Sequence, residues 1–123
     1  MMDRRRLGTA GERLAARYLE GQGYRVLARN VRLPPWGEID LVAERDGTLV
    51  LVEVRVRRGH AFGGALASIG PTKRTRMLRT ALAYLATLGD AAPPARIDLV
   101  AVTLDRAGRP VHIIHITNAV EAE

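Results

Sequence analysis

The stretch Gly37-Glu38-Ile39-Asp40-Leu41-Val42-Ala43-Glu44-Arg45, then Asp46-Gly47, then Thr48-Leu49-Val50-Leu51-Val52-Glu53-Val54-Arg55-Val56-Arg57, decides the fold. In its second half Val50, Val52, Val54 and Val56 alternate with Leu49, Leu51, Glu53, Arg55 and Arg57, which is the period of a strand. The first half alternates as well, with Ile39, Leu41 and Ala43 against Glu38, Asp40 and Val42. Asp-Gly between two such runs is among the strongest hairpin signals. A two-residue turn there sets the register: Arg45 faces Thr48, Ala43 faces Val50, Asp40 faces Glu53 and Glu38 faces Arg55. The valine face is assigned to the core.

Working outward, Ala10, Leu14, Tyr18 and Leu19 recur at helical spacing, so a helix is expected from Thr9 to Glu20, ended by Gly21 and Gly23. Residues 1–8 are expected to form a flexible basic N-terminus. Tyr24 to Ala28 reads as a short strand before the Pro34-Pro35 break. Beyond the hairpin comes a Gly-rich loop with Gly59, Gly63, Gly64 and Gly70 around His60 and Phe62. Pro71 then suits the first turn of a helix carrying Met77, Leu78, Ala81, Leu82, Leu85 and Leu88. Strands at Arg96 to Leu104 and Val111 to Thr117 complete an α/β arrangement with a central sheet flanked by helices, spanning 1–123 as one domain.

The 123 residues match the length of one domain, and 47% hydrophobic residues suffice for a core. The absence of cysteine excludes a disulfide framework, a zinc ribbon and thiol chemistry. Lys and Arg number 19 against 13 Asp and Glu, a net charge of +6, which points to polyanionic partners and first to nucleic acid. The aromatics are Trp36, Phe62, Tyr18, Tyr24 and Tyr84, too few for the stacking platforms of single-strand binders, so a reader of the phosphate backbone fits better. The basic start, Asp3-Arg4-Arg5-Arg6, is followed by Glu12, Arg13, Arg17 and Glu20 rather than by an apolar leader, and no apolar run approaches a membrane span. A cytoplasmic location without membrane contact is the expectation.

The hairpin register brings two carboxylates, Asp40 and Glu53, face to face with Cβ atoms roughly 5 Å apart, a repulsive arrangement unless something offsets it. A hard divalent cation does so, since Mg²⁺ commonly takes one or two carboxylates with water and phosphate oxygens. Glu38 and Arg55 lie two residues further along the same face, so three acids and a fixed cation share one surface. That layout suits phosphodiester cleavage, with Mg²⁺, or Mn²⁺ in its place, lowering the pKa of a bound water and Arg55 orienting the water or holding the phosphate. The competing reading is a solvated charged face. Leu49, Leu51 and Val42 precede the acids on that face, so it begins buried and turns ionic toward one end.

These residues resemble a known family. Gly37-Glu38-Ile39-Asp40-Leu41-Val42, Val52-Glu53-Val54-Arg55-Val56-Arg57, Phe62-Gly63-Gly64-Ala65, Thr72-Lys73 and Arg96-Ile97-Asp98-Leu99-Val100-Ala101, with Gly11-Glu12 and Asn30, closely resemble the bacterial YraN-like family over nearly the whole chain. That family is similar to Holliday-junction resolvases. The resemblance implies a restriction-endonuclease-like α/β fold, a central mixed sheet flanked by helices, with a PD-(D/E)XK nuclease motif. It makes Asp40 the motif's first acid, Glu53 the second, Arg55 the occupant of the place usually held by Lys, and Glu12 an extra acid on the first helix, where by itself Glu12 would be a surface residue. Lys73 and Arg76 fall in the helix that supports the site in related nucleases. Arg in place of Lys at position 55 departs from the pattern, so lysine-dependent water activation does not carry over there.

Helix two opens with Lys73, Arg74, Arg76 and Arg79 at the end where cations oppose the macrodipole. A grip on nucleic-acid phosphates explains the cluster, a solvated basic face being the alternative; Arg57, further along the hairpin face, joins this set. His112 and His115 are three apart in a strand and point to opposite faces, so they cannot chelate one metal together. Asp98, at the start of a strand, is assigned to hydrogen bonding at a strand end ahead of a place in the site. The expected partner is nucleic acid, DNA first, and a homodimer is compatible with the reading. The rivals are a non-catalytic nucleic-acid-binding module and a basic adaptor that docks an acidic protein.

Overall fold

The computed structural model describes residues 4–58 and 69–121, with the side chains of residues 4–7 left aside. Gly59, His60, Phe62, Gly63 and Gly64 of the expected Gly-rich loop, and with them the Phe62–Ala65 motif, lie outside the described residues. The chain runs α1 (Arg4–Gly21), β1 (Arg25–Leu33), β2 (Gly37–Arg45), β3 (Thr48–Arg58), α2 (Pro71–Leu88), a short 3-10 turn (Gly89–Ala91), β4 (Ala95–Leu104) and β5 (Pro110–Val120). The five strands form one sheet in sequence order, antiparallel except for the parallel pairing of β3 with β4. A parallel pair needs a long crossover, and α2 supplies it. The mixed α/β architecture is thus as expected. Two limits differ: α1 begins at Arg4, so the segment expected as a flexible arm is helical from there on, and β1 continues to Leu33.

Asp46 and Gly47 have φ of 50° and 78°, the two positive values that a type I′ hairpin turn requires. From that turn the expected register holds through five pairs, from Arg45↔Thr48 to Leu41↔Val52, and the ladder then ends.

Both faces of the hairpin are core, which extends the one-faced expectation. Val50, Val52, Leu41 and Ala43 pack with Ala15, Ala16 and Leu19 of α1 and with Val100, Val102 and Leu104 of β4. Leu49, Leu51 and Val42 pack with Met77 and Ala81 of α2 and with Ile97 and Leu99. The reason is topological: a strand with a parallel neighbour and helices on both sides has no solvent face. Gly11 lets α1 lie close on the sheet, because a Cβ there would overlap the Val56 side chain.

The alternation of β2 slips at Asp40. Ile39 and Val42, three apart, both join the α2-side cluster, as do Ala28 and Val31 across Asn30 on the neighbouring strand. Asn30 has φ of 52°, a left-handed conformation that Asn tolerates better than most residues. The irregularity falls where the candidate acids stand.

The other break in the sheet is at Asp98. Between Ile97↔Val120 and Leu99↔Ile116, β5 carries extra residues, and Asn118 has φ of 52°. Asp98, fully buried, accepts hydrogen bonds there from the Asn118 backbone N–H at 2.9 Å and from Arg96 Nε at 3.0 Å, and stands 2.8 Å from His115 Nε2. Arg96 Nη2 in turn donates to the Tyr24 hydroxyl at 2.6 Å. Asp98 therefore closes a bulge. His115 is edge-on to Tyr18 and Tyr24, so it is structural, as expected.

Candidate functional site

Asp40 and Glu53 stand where β2 and β3 part. The Asp40 carboxylate takes over from the ladder, accepting the Val54 backbone N–H at 2.8 Å, a donor that continued pairing would give to a β2 carbonyl. The expected cross-strand pairs of Asp40 with Glu53 and of Glu38 with Arg55 are consequently absent from the ladder, although Asp40 and Glu53 line one cleft. Glu38 is instead joined to α1: with its amide nitrogen turned toward the acids, Asn30 donates to Glu38 Oε1 at 2.9 Å and to Glu12 Oε2 at 3.1 Å. One left-handed asparagine thus gathers two carboxylates beside Asp40, and they come from different elements.

The electrostatics follow from this crowding. Burial, reinforced by Glu53 and more weakly by Glu12 and Glu38, raises the Asp40 carboxyl to about 7, although the Val54 N–H opposes the rise. Burial and then Glu38 hold Glu12 above the ordinary carboxylate range, against the pull of Asn30 and Arg29. Glu53 is 13% exposed in its side chain, and Lys73 Nζ of α2 lies 3.0 Å from its Oε1.

A cleft of about 260 Å³ opens over these groups, lined by Gly37, Glu38, Asp40, Glu53, Lys73, Arg76, Met77 and Thr80. Lys73 and Arg76 are therefore part of the acidic cleft rather than only of a basic helix face. Arg55, half-buried on β3 beside Ala101 of β4, is not among the residues lining it, and Arg57 sits two residues further out beside Thr103. The other expected phosphate contacts divide. Arg74 Nε donates to the Ile69 carbonyl at 3.4 Å, while the Arg79 guanidinium lies over the Trp36 ring.

Asn30, quoted above only within the resemblance, and Trp36, named only among the aromatics, have no role assigned to them from sequence. Asn30 has a legible signal, a turn-favouring residue inside a β-branched run. Trp36 has none beyond following two prolines.

The donor set suits a hard cation, being carboxylate oxygens crowded enough to hold a proton near neutral pH in the absence of one. Among the described residues no three His, Cys, Asp or Glu side chains gather to cage a metal alone. An ion here would take Asp40 and Glu53, and water or phosphate oxygens for the rest, the pattern typical of Mg²⁺.

The raised Asp40 pKa has a testable sign. The folded protein holds this proton up to about 7 while the unfolded chain releases it near 3.8, so metal-free stability falls as pH rises between those values. Asp40→Asn, which keeps an acceptor for Val54, should remove that fall and be more stable than wild type at pH ~8 by on the order of 4 kcal/mol, the two converging below pH ~4. Urea unfolding at several pH values, with chelator present, measures it; parallel curves would contradict the assignment.

The comparisons with known proteins agree with the sequence resemblance at the level of family. A family profile described as "Uncharacterised protein family UPF0102" matches residues 11–102. Similar proteins, each a UPF0102 protein, include one from Symbiobacterium thermophilum, 48% identical over 85% of this chain and 88% of its own length. Another from Roseiflexus castenholzii is 49% identical over 96% of this chain and 95% of its own. Among solved structures, the one titled "The structure of Pyrococcus Furiosus SfsA in complex with Ca2+" is similar with a TM-score of 0.38 and 17% identity, covering 99% of this chain and 67% of that one. So slight a likeness carries no argument about function. No helix among the described residues is long and apolar enough to cross a membrane.

Proposed function

Because the chain belongs to the uncharacterised protein family UPF0102, whose description names no activity, its function has to be read from its own residues, and we propose that it binds nucleic acid, DNA first, and hydrolyses phosphodiester bonds with Mg²⁺ or Mn²⁺ held by Asp40 and Glu53. The reading goes with a restriction-endonuclease-like placement and a PD-(D/E)XK-type site. The observation that carries it is the crowd of carboxylates around the half-buried Asp40, with Glu12 and Glu53 also half-buried and Glu38 exposed, set in a cleft whose other wall is basic. A protein gains no stability from such a crowd, and perturbed acids in a cleft are a mark of functional sites.

The bound ion would supply Lewis acidity toward a phosphate oxygen and a water of lowered pKa. The protein's own groups do the rest. Asp40 is fixed by the Val54 N–H, so its free oxygen is aimed into the cleft without rotamer search. Lys73, a compact ammonium on Glu53, meets the description of the cation that the resemblance places at position 55, and we assign it the positioning of the attacking water. Arg76 borders the same cleft and would hold the phosphate that follows the cleaved bond. Glu12 and Glu38, tied by Asn30, keep negative potential beside Asp40 and thereby favour cation binding.

A second reading, a binding module whose acids only shape the groove, draws on the Lys73–Glu53 ion pair, which satisfies one proposed ligand without any metal. Both readings need phosphate contacts from α2. Neutralising Arg76 or Arg79 singly should lower the slope of log affinity against log salt by about one, with little change in sequence preference. Arg74→Gln should leave the slope unchanged, since Arg74 is turned to the Ile69 carbonyl. Unchanged slopes for both Arg76 and Arg79 variants would place the nucleic acid on another face.

A further inference from the structure

Next to the acidic cleft lies a second one of about 450 Å³, lined by Pro35, Trp36, Thr72, Thr75, Arg76 and Arg79. The two share Arg76. Trp36 is 44% exposed, although the tight turn that carries it is held from both sides. Its backbone N–H donates to the Leu33 carbonyl at 2.7 Å, and its carbonyl lies 3.1 Å from Thr80 Oγ1 of α2, whose single proton it shares with the Arg76 carbonyl at 2.8 Å. Gly37, with φ of 148°, keeps that contact possible, because a Cβ there would come within 2.9 Å of Thr80 Oγ1. A large aromatic is thus displayed rigidly and wet, which burial alone would not select.

The Arg79 guanidinium stands over the Trp36 ring with its central carbon 6.0 Å from the ring centroid. Direct stacking brings two planar groups to about 3.5–4 Å, and a flat guest between them needs about 7 Å. The guanidinium is therefore not centred on the ring at stacking contact, and a shift of the flexible arginine would admit a planar ring with an aromatic below and a cation above. Around that slot lie Thr72, Thr75, whose hydroxyl donates to the Pro71 carbonyl at 3.0 Å, and Arg76, whose guanidinium suits a phosphate oxygen. Trp36 is also only four residues before Asp40 on the same rigid segment.

We propose that this second cleft is a nucleotide subsite: an unpaired base stacks on Trp36 beneath Arg79, and Arg76 bridges its phosphate to the acidic cleft. Substrates would accordingly be strands that present unpaired nucleotides beside the reacting phosphate, such as a frayed end, a gap or a branch point. A duplex cannot offer a free base face without unstacking, which costs a few kcal/mol. The subsite rests on the nucleic-acid reading above but not on cleavage. It also revises the expectation that this chain reads backbone without stacking, since one fixed aromatic suffices for one base.

The chain has a single tryptophan, so its fluorescence reports on this cleft alone. The full chain, with chelator at low salt, would be titrated with a short oligothymidylate, with an abasic strand of the same backbone length, and with a blunt hairpin duplex. Oligothymidylate should quench Trp36 and the abasic strand should bind without quenching. Trp36→Ala should weaken oligothymidylate binding about 10-fold while changing duplex binding by less than about twofold, and Trp36→Phe should recover part of the loss. Equal quenching by the abasic strand, or an unaffected Trp36→Ala variant, would overturn the subsite while leaving nucleic-acid binding in place. Failure of all three probes to bind wild type would overturn the broader reading together with it.

Discussion

Lys73→Met should lower metal-dependent cleavage of branched and linear duplexes by about 10² to 10³ in single-turnover rate at saturating DNA, the loss typical when a charge that stabilises the transition state is removed. The expectation comes from its place: Lys73 Nζ is 3.0 Å from Glu53 Oε1, on a side chain one-third exposed, in the cleft that also holds Asp40. Arg55 does not line that cleft, so Arg55→Lys should retain most of the rate and reduce binding modestly, whereas Arg55→Ala should weaken binding further. Glu53→Gln serves as the control for contaminating nucleases. Should Lys73→Met cut at the wild-type rate while Arg55→Lys is inert, the working cation sits on β3, as the family pattern implies. Should wild type and Glu53→Gln be equally inert on every substrate while binding DNA, the binding-module reading takes over.

Asp98→Ala should destabilise the fold by about 3–5 kcal/mol, the range for breaking a buried ion pair from one side. The carboxylate is fully buried and serves Arg96, His115 and the Asn118 N–H at once, so its removal leaves the His115 ring and the Asn118 N–H without their acceptor, while the half-buried Arg96 keeps only the Tyr24 hydroxyl. Burial alone would raise its pKa, but the hydrogen bonds from His115, Arg96 and Asn118 outweigh it and hold the carboxyl below 3.8. With the folded value depressed, the contribution is present above the unfolded pKa and is lost as pH falls through the folded one. The gap between wild type and variant should therefore be full at pH ~6 and narrow below pH ~4. Chemical denaturation measures both, and a difference under about 1 kcal/mol at neutral pH would show that the bulge holds without its carboxylate.

The hairpin could be read from one line of sequence because its information is local: Asp46-Gly47 dictates a turn type and the turn dictates the register, which holds as far as Leu41↔Val52; Asp40 and Glu53 lie beyond its end and share a cleft without pairing in the ladder. The resemblance places Lys73 in the helix that supports the site, but its contact with Glu53 is not legible in the residues themselves, because a contact twenty residues away depends on how the crossover helix packs. The slip at Asp40 was hidden for a different reason. Alternation is read as if strands were regular, and only Asn30 in a left-handed conformation reveals that both β1 and β2 break step together. Glu38 was therefore expected beside Arg55, whereas Asn30 ties it to Glu12. Glu12 itself came from family resemblance, since a lone acid on a helix announces nothing. Trp36 was discounted because aromatics were counted rather than located.

The central claim is that Asp40 and Glu53 hold a divalent ion, and thermal unfolding of wild type and Asp40→Asn across a Mn²⁺ titration at pH ~8 tests it most directly. A ligand that binds only the folded state stabilises it by about 2.7 kcal/mol at 100 times its Kd. Wild type should follow that dependence, and Asp40→Asn, though more stable without metal, should show no rise in melting temperature. Equal responses of the two proteins to Mn²⁺, or none in either, would contradict it.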